Sequence, residues 1–293
     1  MEQQLFGGDW TQEKLQCLNK YLHAYTTIFQ RNPQARYYTT VYVDAFAGTG
    51  SLAGKDSPQE KLFPELAEPD ARDYLKGSAK RALEVEPGFD RYLFIERDRR
   101  RCRELETLRA LYPLKAPFIE VRNAEANAYL QEWCRTTDWG KTRAVVFLDP
   151  CGMQVKWRLL EVIAKTKGID LWILFPLGSA VNRLLTKKKP PRGAWAQTLT
   201  DVWGTKTWEA EFYSGAEMNG LFGPEHTEEK EADLDKIGDF FLKRLRTVFA
   251  GVAERPLVLR NSRNIPIFLF CFAAGNKKGA TRGVKIAQDI IGE

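Results

Sequence analysis

Histidine, cysteine and methionine are scarce in this chain, with two, five and three of them in 293 residues. The cysteines (17, 102, 134, 151 and 271) stand far apart with no CxxC pair, and His23 and His226 are the only histidines. That excludes the ordinary zinc patterns and argues against a disulfide framework. Long apolar runs are missing as well. The longest, Val145–Leu148, Leu171–Leu177 and Ile265–Ala274, fall well short of the roughly 18 residues that a membrane span needs, and they read as buried strands. The opening MEQQLFGGDW has neither a basic nor an apolar leader segment, so cytoplasmic residence is the expectation. There is no internal repeat and no sustained low-complexity tract. Acid is not in excess: the net charge is +6, a mildly basic balance that suits a phosphate-bearing or nucleic-acid partner without requiring one.

What is present is an alternation. Leu15, Leu18, Leu22, Tyr25, Ile28 and Phe29 recur at helical spacing, so a helix is expected over the first 35 residues, with Thr11 as its N-cap. Asn32-Pro33 ends it, because the residue before proline avoids the α region. From Tyr37 onward come the short apolar runs TTVYVDAF, RYLFIERD, PFIEVRNAE, AVVFLDP, DLWILFP, RPLVLRN and IPIFLFCFAA, most of them separated by helical periodicity. This predicts an α/β fold with a Rossmann-like, mostly parallel sheet and helices on both faces. The last two runs, separated by Asn261–Asn264, read as a C-terminal antiparallel hairpin. That ending is typical of class I methyltransferase sheets, whereas dinucleotide-binding sheets usually lack it.

A chain of this length is compatible with one large core. The expected organisation is a single domain, 1–293: an N-terminal helical segment (1–36), a cofactor-binding core (37–183), an inserted recognition segment (184–236), and a C-terminal helix and hairpin completing the sheet (237–293). Ser51–Lys76 is rich in proline, glycine and charge and delays the next helix, for which Ser78 is read as the N-cap of AKRALE. The insert contains KKKPPR, the tryptophans 195, 203 and 208, and the polar loop GPEHTEEKEAD.

The chemistry-bearing residues sit at strand ends, where open α/β sheets bind ligands. The first strand runs into Asp44, followed by Phe46 and the turn Gly48-Thr49-Gly50, whose glycines permit a sharp backbone turn and close approach to a ligand. GTGSLA alone also fits the loose dinucleotide pattern G-x-G-x-x-A. The carboxylate at Asp44 discriminates, because a cationic amine wants an acceptor there and a pyrophosphate would be repelled by one. S-adenosylmethionine is therefore favoured over NAD as cofactor. Glu96, ending the second strand, can accept both ribose hydroxyls. Asn123 and Glu125, after the third, are alternative acceptors for the adenine amine. Asp149-Pro150 ends the fourth beside the expected reaction centre. Taken singly, each has a structural reading as a turn, a cap or a surface pair. Four in the right order point to a ligand site.

For chemistry, Asp149 is the candidate for orienting the acceptor or taking its proton, and Asn182 with Arg183 are candidates to clamp an anionic substrate. Enzymes that methylate nucleobase amines often carry [DN]-P-P-[YFW]. Here D-P-C-G supplies the acid without the stacking ring, and Cys151 reads as structural more readily than as a nucleophile. Lys187–Lys189 and Arg192 are candidate phosphate contacts beside Trp195, which is a candidate stacking ring, while Trp203 and Trp208 read as core.

The motifs together resemble those of the three-Cys-motif partner protein (TcmP) family, a methyltransferase-like group of bacteria and their mobile elements. The resemblance covers most of the chain, through EKLQCLNKYLHAYTTIF, YVDAFAGTG, GSAKRAL, FIERD, FLDPCG, LFPLGSAVNR, VWGTKTWEAEF and FLFCFAAGNKKG. It implies S-adenosylmethionine as cofactor and a neighbouring three-Cys-motif protein as partner; the name refers to that partner's cysteines. The family usually has an aromatic after Asp-Pro, where this chain has Cys151. The expected function is an S-adenosylmethionine-dependent methyltransferase working with a partner. The alternative is a non-catalytic cofactor-binding or scaffold subunit of a partner enzyme, and a more distant rival is an NAD-dependent oxidoreductase.

Overall fold

The computed structural model describes residues 9–47, 71–220 and 223–293. All seven expected strands form: β1 (Thr39–Asp44), β2 (Arg91–Glu96), β3 (Ile119–Asn123), β4 (Thr142–Leu148), β5 (Ile169–Phe175), β9 (Leu257–Arg260) and β10 (Pro266–Ala274). A two-residue strand, β8 (Gly251–Val252), joins them, giving the order β3-β2-β1-β4-β5-β10-β8 with β9 also paired to β10. β3, β2, β1, β4 and β5 are mutually parallel, and β10 runs antiparallel to β5, β8 and β9. This is the class I methyltransferase-like Rossmann sheet. The strand order reverses at β1, so the crevice at the carboxyl ends of β1 and β4 is the topological switch point at which such sheets take ligands.

Successive strand residues point to opposite faces, and the sequence supplies apolar side chains for both. Val41, Val43, Val146, Leu148 and Ile173 pack into one core with α4 (Ala126–Thr136), α5 (Trp157–Lys165), α6 (Ala194–Trp203), α7 (Trp208–Phe212) and α8 (Leu234–Arg246). Tyr42, Val145, Phe147, Trp172 and Phe270 face the other core. That core is built with α1 (Asp9–Arg31), α2 (Ala71–Glu84), α3 (Arg99–Ala110) and α9 (Ala280–Gly292). Trp203 and Trp208 are fully buried, as the sequence suggested. α1 is fastened near both edges of the sheet. Trp10 packs 5.1 Å from Phe268 and Lys14 reaches Asp149 just past the end of β4. Further along, the Tyr21 hydroxyl donates to Asp170, at the start of β5, at 2.8 Å.

Three local expectations need correction. α1 is already helical at Asp9, so Thr11 lies inside the first turn and does not cap it. α2 begins at Ala71, which places Ser78 in mid-helix, where its hydroxyl turns toward β1. The polar stretch read as a loop forms β7 (Gly223–Lys230), paired antiparallel with β6 (Tyr213–Gly220).

At the end of α6, Gly204 adopts φ +64°, and a Cβ there would lie 2.0 Å from Cδ1 of the buried Trp157. Left-handed strain of about 1–2 kcal/mol adds to overpacking of about 1–3 kcal/mol. Gly204→Ala is expected to lower the denaturant midpoint accordingly, with an unchanged m-value.

Candidate functional site

The parallel register sets the depth of the site. Asp44 lies level with Phe94 of β2 and Phe147 of β4. Glu96 and Asp149 therefore stand two residues further along their strands, and all three carboxylates gather at the carboxyl-end edge. Each is buried, which is costly for a charge unless partners or a ligand offset it.

The partners differ. Asp44 accepts from the Ser78 hydroxyl through Oδ2 at 2.7 Å, whereas its buried Oδ1 makes no well-aligned hydrogen bond among the described residues, although the Phe46 N–H and the Tyr42 hydroxyl stand near the carboxylate. Burial pushes the Asp44 carboxyl up to about 7, opposed by the Ser78 bond and reinforced by the charge of Asp149. Glu96 accepts from the Asp98 backbone N–H at 2.5 Å, and burial pushes its carboxyl up to about 6. Asp149 accepts from Lys14 Nζ at 2.6 Å, and the Lys14 side chain is 0% exposed. Burial outweighs the attraction of Asp149 and pulls the lysine below its ordinary value. The ammonium also sits 5.4 Å from the Trp10 ring and 5.7 Å from the Phe147 ring, within the range where aromatic faces attract a cation.

Lys14 is the residue that sequence reasoning missed. Its signal was present: 14, 18, 21 and 25 form one helical stripe whose other members, Leu18, Tyr21 and Tyr25, are core. A lysine on such a stripe must find an acid, and here the acid comes from a strand end 135 positions away.

The other candidates fall as follows. Asn123, paired with Glu96 across β2 and β3, donates its amide to the carbonyls of Glu96 at 3.0 Å and Arg97 at 2.7 Å. This pins the turn that carries Glu96. Glu125 caps α4, accepting from the backbone N–H groups of Asn127 and Ala128. Burial opposes ionisation at Glu125, but these bonds prevail and hold it below the usual glutamate value. Phe46 is half-buried at the mouth of the crevice beside the first core. Gly48 and Gly50 lie outside the described residues. Asn182 begins a short helical turn after β5 and accepts from the Lys230 ammonium, with Arg183 exposed next to it. Cys151, after Pro150, is half-buried. Among the described residues no group of three or more His, Cys, Asp or Glu side chains is placed to hold a metal ion, and no helix is long and apolar enough to cross a membrane.

No protein-family model matches the chain, and no curated protein matches it. Similar solved structures include a protein from Listeria monocytogenes assigned as an S-adenosylmethionine-dependent methyltransferase, with 9% identity over 86% of this chain and 97% of that one, at a TM-score of 0.31. Another is yhhF from Escherichia coli, assigned as a methyltransferase, with 14% identity, 73% and 86% coverage and a TM-score of 0.27. A conserved hypothetical protein from Streptococcus pyogenes has 15% identity, 50% and 73% coverage and a TM-score of 0.29. Likeness of this degree carries no argument. The class I methyltransferase-like fold stands on the strand order and on the reversed direction of β10.

Proposed function

We propose that this protein binds S-adenosylmethionine at the switch point between β1 and β4 and is a methyltransferase. One observation carries the reading: Asp44 is a buried carboxylate, at the carboxyl end of the first parallel strand, whose Oδ1 makes no well-aligned hydrogen bond among the described residues. A buried acceptor left unmade is expensive. An aminoacyl ammonium would satisfy it, whereas the pyrophosphate of a dinucleotide would face a like charge. The residues present thus fit the cofactor. Asp44 would receive its amine and Glu96 its ribose hydroxyls. Asn123, bonded to the Glu96 turn, would hold that turn in place, beside the adenine side of the site.

The bound cofactor would supply an electrophilic methyl group. The chain would align the acceptor and exclude water, which is most of what such a transfer requires. Asp149 would orient the acceptor or take its proton, held in position by Lys14, and Asn182 with Arg183 would flank the entrance. A second reading is favoured by a specific observation: Asp149 is already engaged by Lys14, and the next residue but one is Cys151, not an aromatic ring. In that reading the chain is a cofactor-binding subunit of a partner enzyme.

Isothermal titration separates these proposals. S-adenosylmethionine and S-adenosylhomocysteine are expected to bind and NAD to fail. Glu96→Gln is expected to weaken binding by about ten- to a hundredfold, the worth of a charged hydrogen bond at about 1.5–3 kcal/mol. NAD binding in place of the sulfonium pair would sink the assignment. Binding with no transfer of labelled methyl to any acceptor, with or without a partner, would favour the second reading.

A further inference from the structure

The edge of the sheet that holds the crevice also carries a row of cations. The chain leaving β5 turns through residues 177–184 and then exposes Lys187, Lys188, Lys189 and Arg192 around Pro190-Pro191. None of the four joins an ion pair among the described residues. The backbone beneath them is held in place. The Lys230 N–H donates to the Lys187 carbonyl at 2.9 Å and the Tyr213 hydroxyl to the Thr186 carbonyl at 2.9 Å, while the Thr186 hydroxyl bonds the Lys189 carbonyl. Pro191 is buried. The ammonium groups therefore project from an anchored loop. Three residues past Arg192, Trp195 is 42% exposed, while its neighbours in sequence Trp203 and Trp208 are fully buried.

A second segment joins them at that edge. β10 is antiparallel to β5, with Leu269 level with Phe175, so the turn before β10 projects beyond the carboxyl ends of the parallel strands. It presents Arg263 and the 47%-exposed Ile265. It also lies against the 177–184 turn, since a Cβ on Gly178 would be 2.3 Å from the Pro266 carbonyl.

We infer that this edge binds single-stranded nucleic acid, with phosphates along Lys187–Lys189 and Arg192 and a base stacked on Trp195, and presents it to the crevice as the methyl acceptor. The acceptor role rests on the methyltransferase reading; the binding surface does not. Unpaired cations on a fixed loop match a phosphate backbone, and an exposed indole beside them is a stacking platform that any unpaired base can use. A duplex would hide its bases from Trp195, and from buried Asp149 unless one were extruded. In the transfer, the acceptor's lone pair would take the methyl group supplied by the cofactor as its carbon–sulfur bond breaks, S-adenosylhomocysteine would depart, and Asp149 would pass the acceptor's proton to solvent.

Fluorescence anisotropy with short labelled single strands, across a salt series, tests the surface. Four phosphate contacts predict a log–log salt slope of about −3 for a single strand, falling to about −1 when three are removed. Lys187→Glu, Lys188→Glu and Lys189→Glu together are expected to cut affinity more than tenfold. Trp195→Ala is expected to cut it about five- to a hundredfold with the slope unchanged. A charge-matched control, Lys277→Glu, Lys278→Glu and Arg282→Glu, changes exposed cations past the other end of β10 and should cost under about twofold by this account. Equal loss in the control, equal affinity for duplex, no binding, or binding of phosphatidylserine vesicles in place of oligonucleotide would each overturn the proposal. S-adenosylmethionine titration of the same variants is expected to match wild type. If the cofactor fails to bind while the strand binds as described, the methyltransferase reading falls and the surface stands.

Discussion

Asn in place of Asp44 is expected to weaken S-adenosylmethionine binding by about thirtyfold or more, because truncating one member of a buried charged pair costs about 2–5 kcal/mol. The same substitution should make the free protein more stable at pH 8. Burial raises the folded-state pKa of Asp44 from the ordinary 3.8 to about 7. Its contribution to stability is therefore full below the unfolded value and is lost as pH rises through about 7. Asn keeps an oxygen for the Ser78 hydroxyl, which now donates at 2.7 Å, and never ionises. The variant should melt above wild type at pH 8 and level with it near pH 4. Binding carries the complementary signature. Below about pH 7 the ligand amine must displace a proton, so wild-type affinity should fall about tenfold per pH unit while that of the Asn variant stays flat. Titration calorimetry and thermal melts over this range check both halves. Unchanged affinity in the variant would remove Asp44 from the site.

Lys14→Met should be the most destabilising single change near the crevice. It strips the cation from a carboxylate 2.6 Å away whose side chain is only 6% exposed. Removing one partner of a buried ion pair costs about 3–5 kcal/mol, whereas replacing both partners by apolar groups is often nearly neutral. For a chain of this size each kcal/mol moves the melting midpoint by roughly 2–4 °C, so a drop of order 10 °C is expected. Lys14→Met with Asp149→Leu should recover much of it. A double mutant as unstable as the sum of the two single changes would mean that the pair is not coupled in the way its geometry indicates.

The sheet was readable because most of its strands are nearly continuous apolar runs, as burial on both faces demands; β3, IEVRN, buried only at Ile119, is an exception. The first four runs each end at a polar residue that marks the carboxyl edge, which is why Asp44, Glu96, Asn123 and Asp149 stand out in the sequence. The β6–β7 hairpin was not readable: YSGAEMNG and GPEHTEEK hold glycine, proline, asparagine and glutamate where strands favour branched and aromatic residues. Ser78 misled for a related reason. Serine after glycine is a fair helix start, and only the tertiary structure shows that the hydroxyl serves Asp44 from mid-helix. The Lys14–Asp149 pair is a contact across 135 positions, and local periodicity carries no information about which distant acid a buried lysine meets.

The order in which the ribosome delivers these pieces is set against the order in which α1 can finish docking. Tyr25 stacks 5.7 Å from Phe89 and can settle once β1 and β2 exist. Trp10, Lys14 and Tyr21 must wait for Phe268, Asp149, Asp170 and Phe272. At translation rates of about 5–20 residues per second, the wait for the last strand is of order tens of seconds. For that interval the nascent chain holds out a helix whose Trp10 and Tyr21 rings lack part of their final cover. That face of the helix is the part of the molecule most in need of shelter during synthesis, although in the finished protein it is among the most deeply enclosed.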